Sequence, residues 1–162
     1  MNALSHCSLP SPFPSSVLVC DFYYYSYEFR NKPHVFLGST VILVDTKQSN
    51  SPSGNTLRNV RGSYHRMDSS CFHCSWCFNE LKEVRLKMAS YSHTEHNEEK
   101  FRARDHIIDR YQHGKDLFDR PGEEYIYISN NTELPRLVQF QPERFKFMTQ
   151  RARLPNAGFI DA

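Results

Sequence analysis

Cys71-Phe72-His73-Cys74-Ser75-Trp76-Cys77-Phe78 gathers three cysteines, a histidine and the chain's single tryptophan into one short stretch. Three chemistries use such a stretch. Cys74-x-x-Cys77 has the spacing of a zinc knuckle, but a closed structural site takes four ligands. No second Cys-x-x-Cys and no His-x3–5-His follows, and His93 and His96 are only two residues apart in between. A thioredoxin-like redox pair sits at a helix N-terminus behind a strand. A helix pattern does follow Phe78, yet no βαβ frame precedes it. The third reading is a structural or free pair of thiols packed among aromatics, and on chemistry alone it leads.

The rest of the chain sets the bounds. Its 162 residues suffice for one modest domain. Charged residues make up 23% and aromatics 14%, which excludes a disordered, highly charged tail. The net charge of +2 is spread without a basic block, so no nucleic-acid partner is expected. The longest apolar runs, near 17–20 and 41–44, are far short of the ~20 residues of a membrane span. The first twenty residues read poorly as a signal peptide, because no Lys or Arg precedes the apolar part and prolines interrupt it. Five cysteines are an odd number, so at least one is unpaired or pairs outside the chain. Asn130-Asn131-Thr132 is a glycosylation sequon, meaningful only in a secretory setting.

Residues 1–16 are Ser/Pro-rich and expected to be disordered, residues 17–150 to form the domain, and residues 151–162 to fray. Residues 17–29, rich in β-branched and aromatic side chains, read as a strand. Residues 34–44 read as one or two more strands, with Gly38 as a kink or bulge. Residues 45–56 are a polar loop of turn formers. After the cysteines the period changes: Phe78, Leu81, Val84 and Met88 share a helical face, predicting a helix over 79–91. A second helix is expected over 97–112, burying Phe101, Ile107 or Ile108, and Tyr111, and ending at Gly114. Residues 114–128 read as turn, short segment, turn and strand, and residues 133–148 as a short helix and a second apolar turn around Phe145 and Phe147. Strands first and helices later predict an α/β or α+β chain.

Three strings in order resemble glycosyltransferase family 17. They are Ser70-Cys71-Phe72-His73-Cys74-Ser75-Trp76-Cys77-Phe78, Lys87-Met88-Ala89-Ser90-Tyr91-Ser92-His93 and His113-Gly114-Lys115-Asp116-Leu117-Phe118. The family's strings look like Ala-Gly-Trp-His-Cys-Ser-x-Cys-Phe, Lys-Met-x-Ala-Tyr-Ser-His and Asn-Gly-x-Asp-Leu-Phe. Upstream, residues 23–29 are similar to a family strand ending in Tyr-Ser-Phe-Glu-Phe, and Leu57-Arg58-Asn59-Val60-Arg61 to its basic segment. The likeness runs from about Phe22 to Met148. Cys71-Phe72 stand where the family has Gly-Trp, and Gln112 stands where it often has a cysteine.

The resemblance implies a GT-A-like α/β fold and an inverting transfer of N-acetylglucosamine from UDP-GlcNAc to the β-linked core mannose of an N-glycan, on the lumenal side of the Golgi membrane. It implies Mn²⁺, held on an acidic string of the type Asp-Val-Asp-Glu-Ile-Pro, where the metal would neutralise the leaving diphosphate. No such string occurs in these residues, and the nearest acidic pairs, Glu98-Glu99 and Glu123-Glu124, read as solvated faces. The chain is therefore expected to be the C-terminal part of the transferase domain, without the nucleotide-binding half. Within it, His73 and Asp116 are the catalytic candidates, and Phe72, Trp76 and Lys115 the substrate-binding ones. His93 is the metal candidate, Cys74 and Cys77 the disulfide candidates in an oxidising lumen, and Asn130 the glycosylation candidate. The alternatives are a non-catalytic fragment and a small zinc or redox module on Cys74-x-x-Cys77.

Overall fold

The computed structural model describes residues 15–32, 36–42, 65–90, 95 and 97–162. The polar loop over 45–56, the basic segment ending at Arg61, and His93 lie outside them. The chain divides into two compact units, residues 1–21 with 35–71, and residues 22–34 with 72–162. Strands come first and helices later, as the sequence predicts.

In the first unit, the early part of β1 (Ser15–Tyr24) pairs antiparallel with β3 (Phe36–Ile42), in a register running from Ser15 opposite Ile42 to Cys20 opposite Phe36. The register shifts between Val17 and Val19, where Gly38 and Ser39 of β3 together oppose the single residue Leu18, so the bulge lies on β3 at the predicted glycine. Gly38 also serves close approach. A Cβ there would collide with the Cys20 sulfur and lie 3.3 Å from that of Cys71. Those two cysteines form a disulfide, with Cα atoms 4.4 Å apart. β4 (His65–Ser75) pairs with β1 and carries Cys71 and Cys74, so the cysteine stretch begins as a strand.

In the second unit, the end of β1 meets β2 (Phe29–Lys32) with Tyr23 opposite Arg30. Tyr25 takes a positive φ of 64° in the turn between them. Thus the predicted single strand over 17–29 is broken by a tight turn. β2 then pairs antiparallel with β5 (Glu124–Tyr127). Glu28, buried in that turn, accepts hydrogen bonds from the Ser26 hydroxyl at 3.3 Å and the Ala152 N–H at 3.2 Å.

The helices supply the apolar stripe that covers this core. α1 (Leu81–Ser90) buries Leu81, Val84 and Met88, at the i, i+3, i+7 spacing of one helical face. The second predicted helix is two: α2 (Glu99–Arg102) and α3 (Arg104–His113), separated at Ala103, whose ψ is 134°. Phe101 and Ile107 explain the break. On one continuous helix they would point about 120° apart, and the interruption lets both reach the same core. α4 (Arg136–Phe140) and α5 (Lys146–Thr149) follow, with Val138 in a smaller cluster around Tyr23 and Tyr27.

Residues 151–162, expected to fray, pack instead. Arg151, Ala157 and Phe159 are buried, and the Asp161 carboxylate accepts hydrogen bonds from the Leu81 and Lys82 N–H groups at 2.6 and 3.1 Å. Asp161 thereby supplies the N-terminal cap that α1 lacks locally.

Candidate functional site

The Asp-Leu-Phe string forms a site because α3 ends just before it. Gly114 terminates the helix with φ 61° and ψ 36°, and its N–H returns to the Arg110 carbonyl. A Cβ on Gly114 would lie 2.6 Å from Cε1 of the buried Phe29 ring. Backbone conformation and space both demand glycine at this position. Gly114→Ala is expected to cost about 2–4 kcal/mol. Urea unfolding reads this as a lower midpoint at unchanged slope, and a loss under about 0.5 kcal/mol would show that Phe29 yields.

Beyond Gly114, Leu117 and Phe118 turn into the core, while Asp116 is 8% exposed and organises the loop. Its Oδ1 accepts from the N–H groups of Phe118 and Arg120 at 3.0 and 2.9 Å. Its Oδ2 accepts from Arg120 Nη2 at 2.6 Å and the Tyr125 hydroxyl at 3.0 Å. Arg120 Nε lies 3.2 Å from both oxygens. Burial alone would raise the Asp116 pKa, but hydrogen bonds from Arg120 and from the Phe118 N–H overcome it, leaving the carboxyl below its ordinary range. The same pair holds Arg120 well above the usual guanidinium value. Burial, reinforced by Tyr24 and Asp116, pushes the Tyr125 phenol up. Tyr125 stacks on Tyr24 with ring centres 4.4 Å apart.

An open cleft of about 550 Å³ lies over this loop, lined by Arg110, Lys115, Asp116, Asp119, Arg120 and Tyr125 among others. Its cations are partnered: Arg110 bridges to Asp119 at 2.7 Å, and Lys115 reaches both Asp109 oxygens at 3.1 Å. Such a lining offers donors and acceptors side by side with little net charge.

The cysteine stretch lies beneath Phe118. Cys74 and Cys77 are joined as a disulfide. In that state they offer no pair of thiolates to a zinc ion. Between them Trp76 has φ 58° and is only 6% exposed. Its ring meets Phe118 at 5.5 Å, and Lys87 Nζ stands 4.2 Å over it. The side chain offered for sugar stacking is thus a core residue in this conformation. His73 is half-buried with its ring 4.9 Å from Phe22, and burial, then Lys87, lowers its pKa. It is therefore neutral at pH 7. Phe72 is exposed and edge-on to Tyr27.

Of the candidate residues, Lys115 and Asp116 share the cleft and Trp76 supports it from below, whereas Phe72 and His73 do not line it. Asn130 is exposed in a turn after β5. His93 lies outside the described residues. Among those residues no cluster of His, Cys, Asp or Glu is arranged to hold a metal ion. Sequence reading misses Arg120, Tyr125 and Tyr24. Only the i, i+4 spacing of Asp116 and Arg120 hints at their pairing.

Comparison with protein families places the chain among the glycosyltransferases. It belongs to Glycosyltransferase family 17, matched over residues 2–149. Nucleotide-sugar and acceptor substrates are thereby implied as classes. No curated protein and no solved structure gives a match. No helix among the described residues is long and apolar enough to cross a membrane.

Proposed function

We propose that this chain contributes the acceptor-side part of a GT-A-like transferase that moves N-acetylglucosamine from UDP-GlcNAc to the β-linked core mannose of N-glycans. The observation that carries the reading is the family match, which spans the cysteine stretch and the Asp-Leu-Phe loop together. The charge of the cleft supports it, since three partnered cations stand among four carboxylates, Asp116, Asp119, Glu123 and Glu124, a lining that suits a hydroxyl-rich sugar better than a diphosphate. Lys115 and Tyr125 would bind the acceptor, and Asp116 and Trp76 would position the loop; His73, which does not line this cleft, would serve as base only to an acceptor that reaches beyond it. The two disulfides favour an oxidising lumen, as in the Golgi. Mn²⁺ would be held by an Asp-x-Asp segment that these residues do not contain.

The test is transfer from radiolabelled UDP-GlcNAc to a biantennary N-glycan in the presence of Mn²⁺, using the product of the complete transcript beside the 162-residue chain. The longer product is expected to form the bisected glycan, and the 162-residue chain alone is expected to form none. Use of a different nucleotide sugar, or of a different acceptor hydroxyl, overturns the assignment.

A further inference from the structure

We propose that the Cys74–Cys77 bridge is a redox-labile lock that keeps Trp76 in the core under the Asp116 loop, and that a dithiol opens it and releases the indole. The chain has two described disulfides in unlike settings. Cys20–Cys71 joins positions 51 residues apart, with Cys20 buried, Cys71 half-buried and Gly38 packed against both sulfurs. Cys74–Cys77 closes over two residues, and both partners are half-buried. An attacking thiolate needs access to a sulfur, and the second bridge gives more of it.

The residue under that bridge supplies the reason for opening to matter. Trp76 has φ 58°, a conformation a bulky side chain adopts only where its surroundings impose it. The bridge spans this residue and is the covalent constraint nearest to it. When the bridge opens, the backbone at Trp76 relaxes toward negative φ and the side chain leaves its place between Phe118 and Lys87. Phe118 then loses a wall of its pocket, and its N–H is one of the donors that hold Asp116. The state of the bridge is thus coupled to the floor of the cleft.

The redox balance is that of ordinary exchange. One thiolate of a dithiol attacks a bridge sulfur and forms a mixed disulfide. Its second thiol closes on the first, leaving Cys74 and Cys77 as two thiols and the dithiol as its cyclic disulfide. Two electrons and two protons pass to the chain.

Trp76 is the only tryptophan, so its emission reports the lock directly. The native 162-residue chain is first treated with N-ethylmaleimide to block existing thiols, then titrated with dithiothreitol. Thiols that appear are alkylated with iodoacetamide and mapped by mass, and emission is read on the same samples. Cys74 and Cys77 are expected to label at about tenfold lower dithiothreitol than Cys20 and Cys71, with the emission maximum moving to the red in step. Labelling of all four together, or labelling of Cys74 and Cys77 with emission unchanged, overturns the proposal. The Cys74→Ser/Cys77→Ser variant, shown by circular dichroism to be folded, is expected to have red-shifted emission without reductant. Native emission from that folded variant also overturns it, and the wild-type titration decides if the variant does not fold.

Discussion

Replacing Asp116 by Asn is expected to destabilise the chain by about 3 kcal/mol at pH 7, lowering the thermal midpoint by about 6–12 °C at this chain length. The substitution keeps size and shape but removes the charge facing Arg120. It also sets an NH2 group against donors, because both carboxylate oxygens now accept only. The partly exposed Arg120 side chain moderates the loss, since water screens part of its charge. The pH dependence is a second readout. Asp116 has a depressed folded pKa, so its contribution is fully present above the unfolded carboxylate value and is lost as pH falls through the lower folded value. The gap between wild type and Asp116→Asn should therefore be constant from pH 7 to about pH 5 and close below about pH 4. A gap that persists unchanged in acid, or none at pH 7, would mean that the carboxylate does not hold the loop. The same geometry speaks to chemistry. A carboxylate held below its ordinary pKa by converging donors is a poor proton acceptor near neutrality, which is why Asp116 is assigned a positioning role.

Much of the architecture follows from periodicity alone. Leu81, Val84 and Met88 announce α1 because a helix buries one stripe, and Gly114 announces the end of α3 because few other residues accept its conformation. The breaks are what periodicity hides. Nothing local distinguishes Ala103, and the split between α2 and α3 arises from the need of Phe101 and Ile107 to reach one core. Tyr25 ends β1 with a positive φ that a strand-forming Tyr does not advertise. Its hydroxyl instead donates to the Lys115 carbonyl at 2.9 Å, a contact between positions 90 residues apart.

The site divides the same way. The Asp-Leu-Phe loop and the cysteine stretch stand out as motifs, but their geometry depends on partners distant in sequence. Sugar stacking is what the motif suggests for Trp76, and tertiary packing places it under Phe118 instead. Cys20–Cys71 cannot be read from five cysteines, because it follows from β4 pairing with β1, not from spacing. Residues 151–162 look dispensable because their apolar residues show no period. Arg151, Phe159 and Asp161 each act through a different contact, and none repeats.

That segment carries the other large prediction. A chain ending at Gln150 is expected to lose its cooperative unfolding transition, although the family match ends at residue 149. Phe159 lies within the core beside Tyr111, ring centres 4.9 Å apart, and burial of such a side chain contributes roughly 1.5–3 kcal/mol. Loss of the Asp161 cap on α1 removes about 1 kcal/mol more. Arg151 matters most. Fully buried, it stands over the rings of Tyr111, Phe147 and Phe159 at 5.0–5.4 Å and donates to the carbonyls of Ala157 and Phe78. Burial pulls its pKa down to about 10, partly offset by Tyr111 and Glu28, so it is still a cation at pH 7. With residues 151–162 gone, the Phe78 carbonyl loses its donor and a space opens beside Tyr111 and Phe147. Together these losses approach the whole stability of an ordinary domain, about 5–15 kcal/mol. Arg151→Met in the full chain separates the parts. It keeps the apolar contact and the cap, and should cost about 2–4 kcal/mol while melting cooperatively. Calorimetry on both proteins decides: a truncated chain that melts in one transition within a few degrees of the full one would make the segment peripheral. A broad, heatless transition would make it part of the domain that the family's strings do not reach.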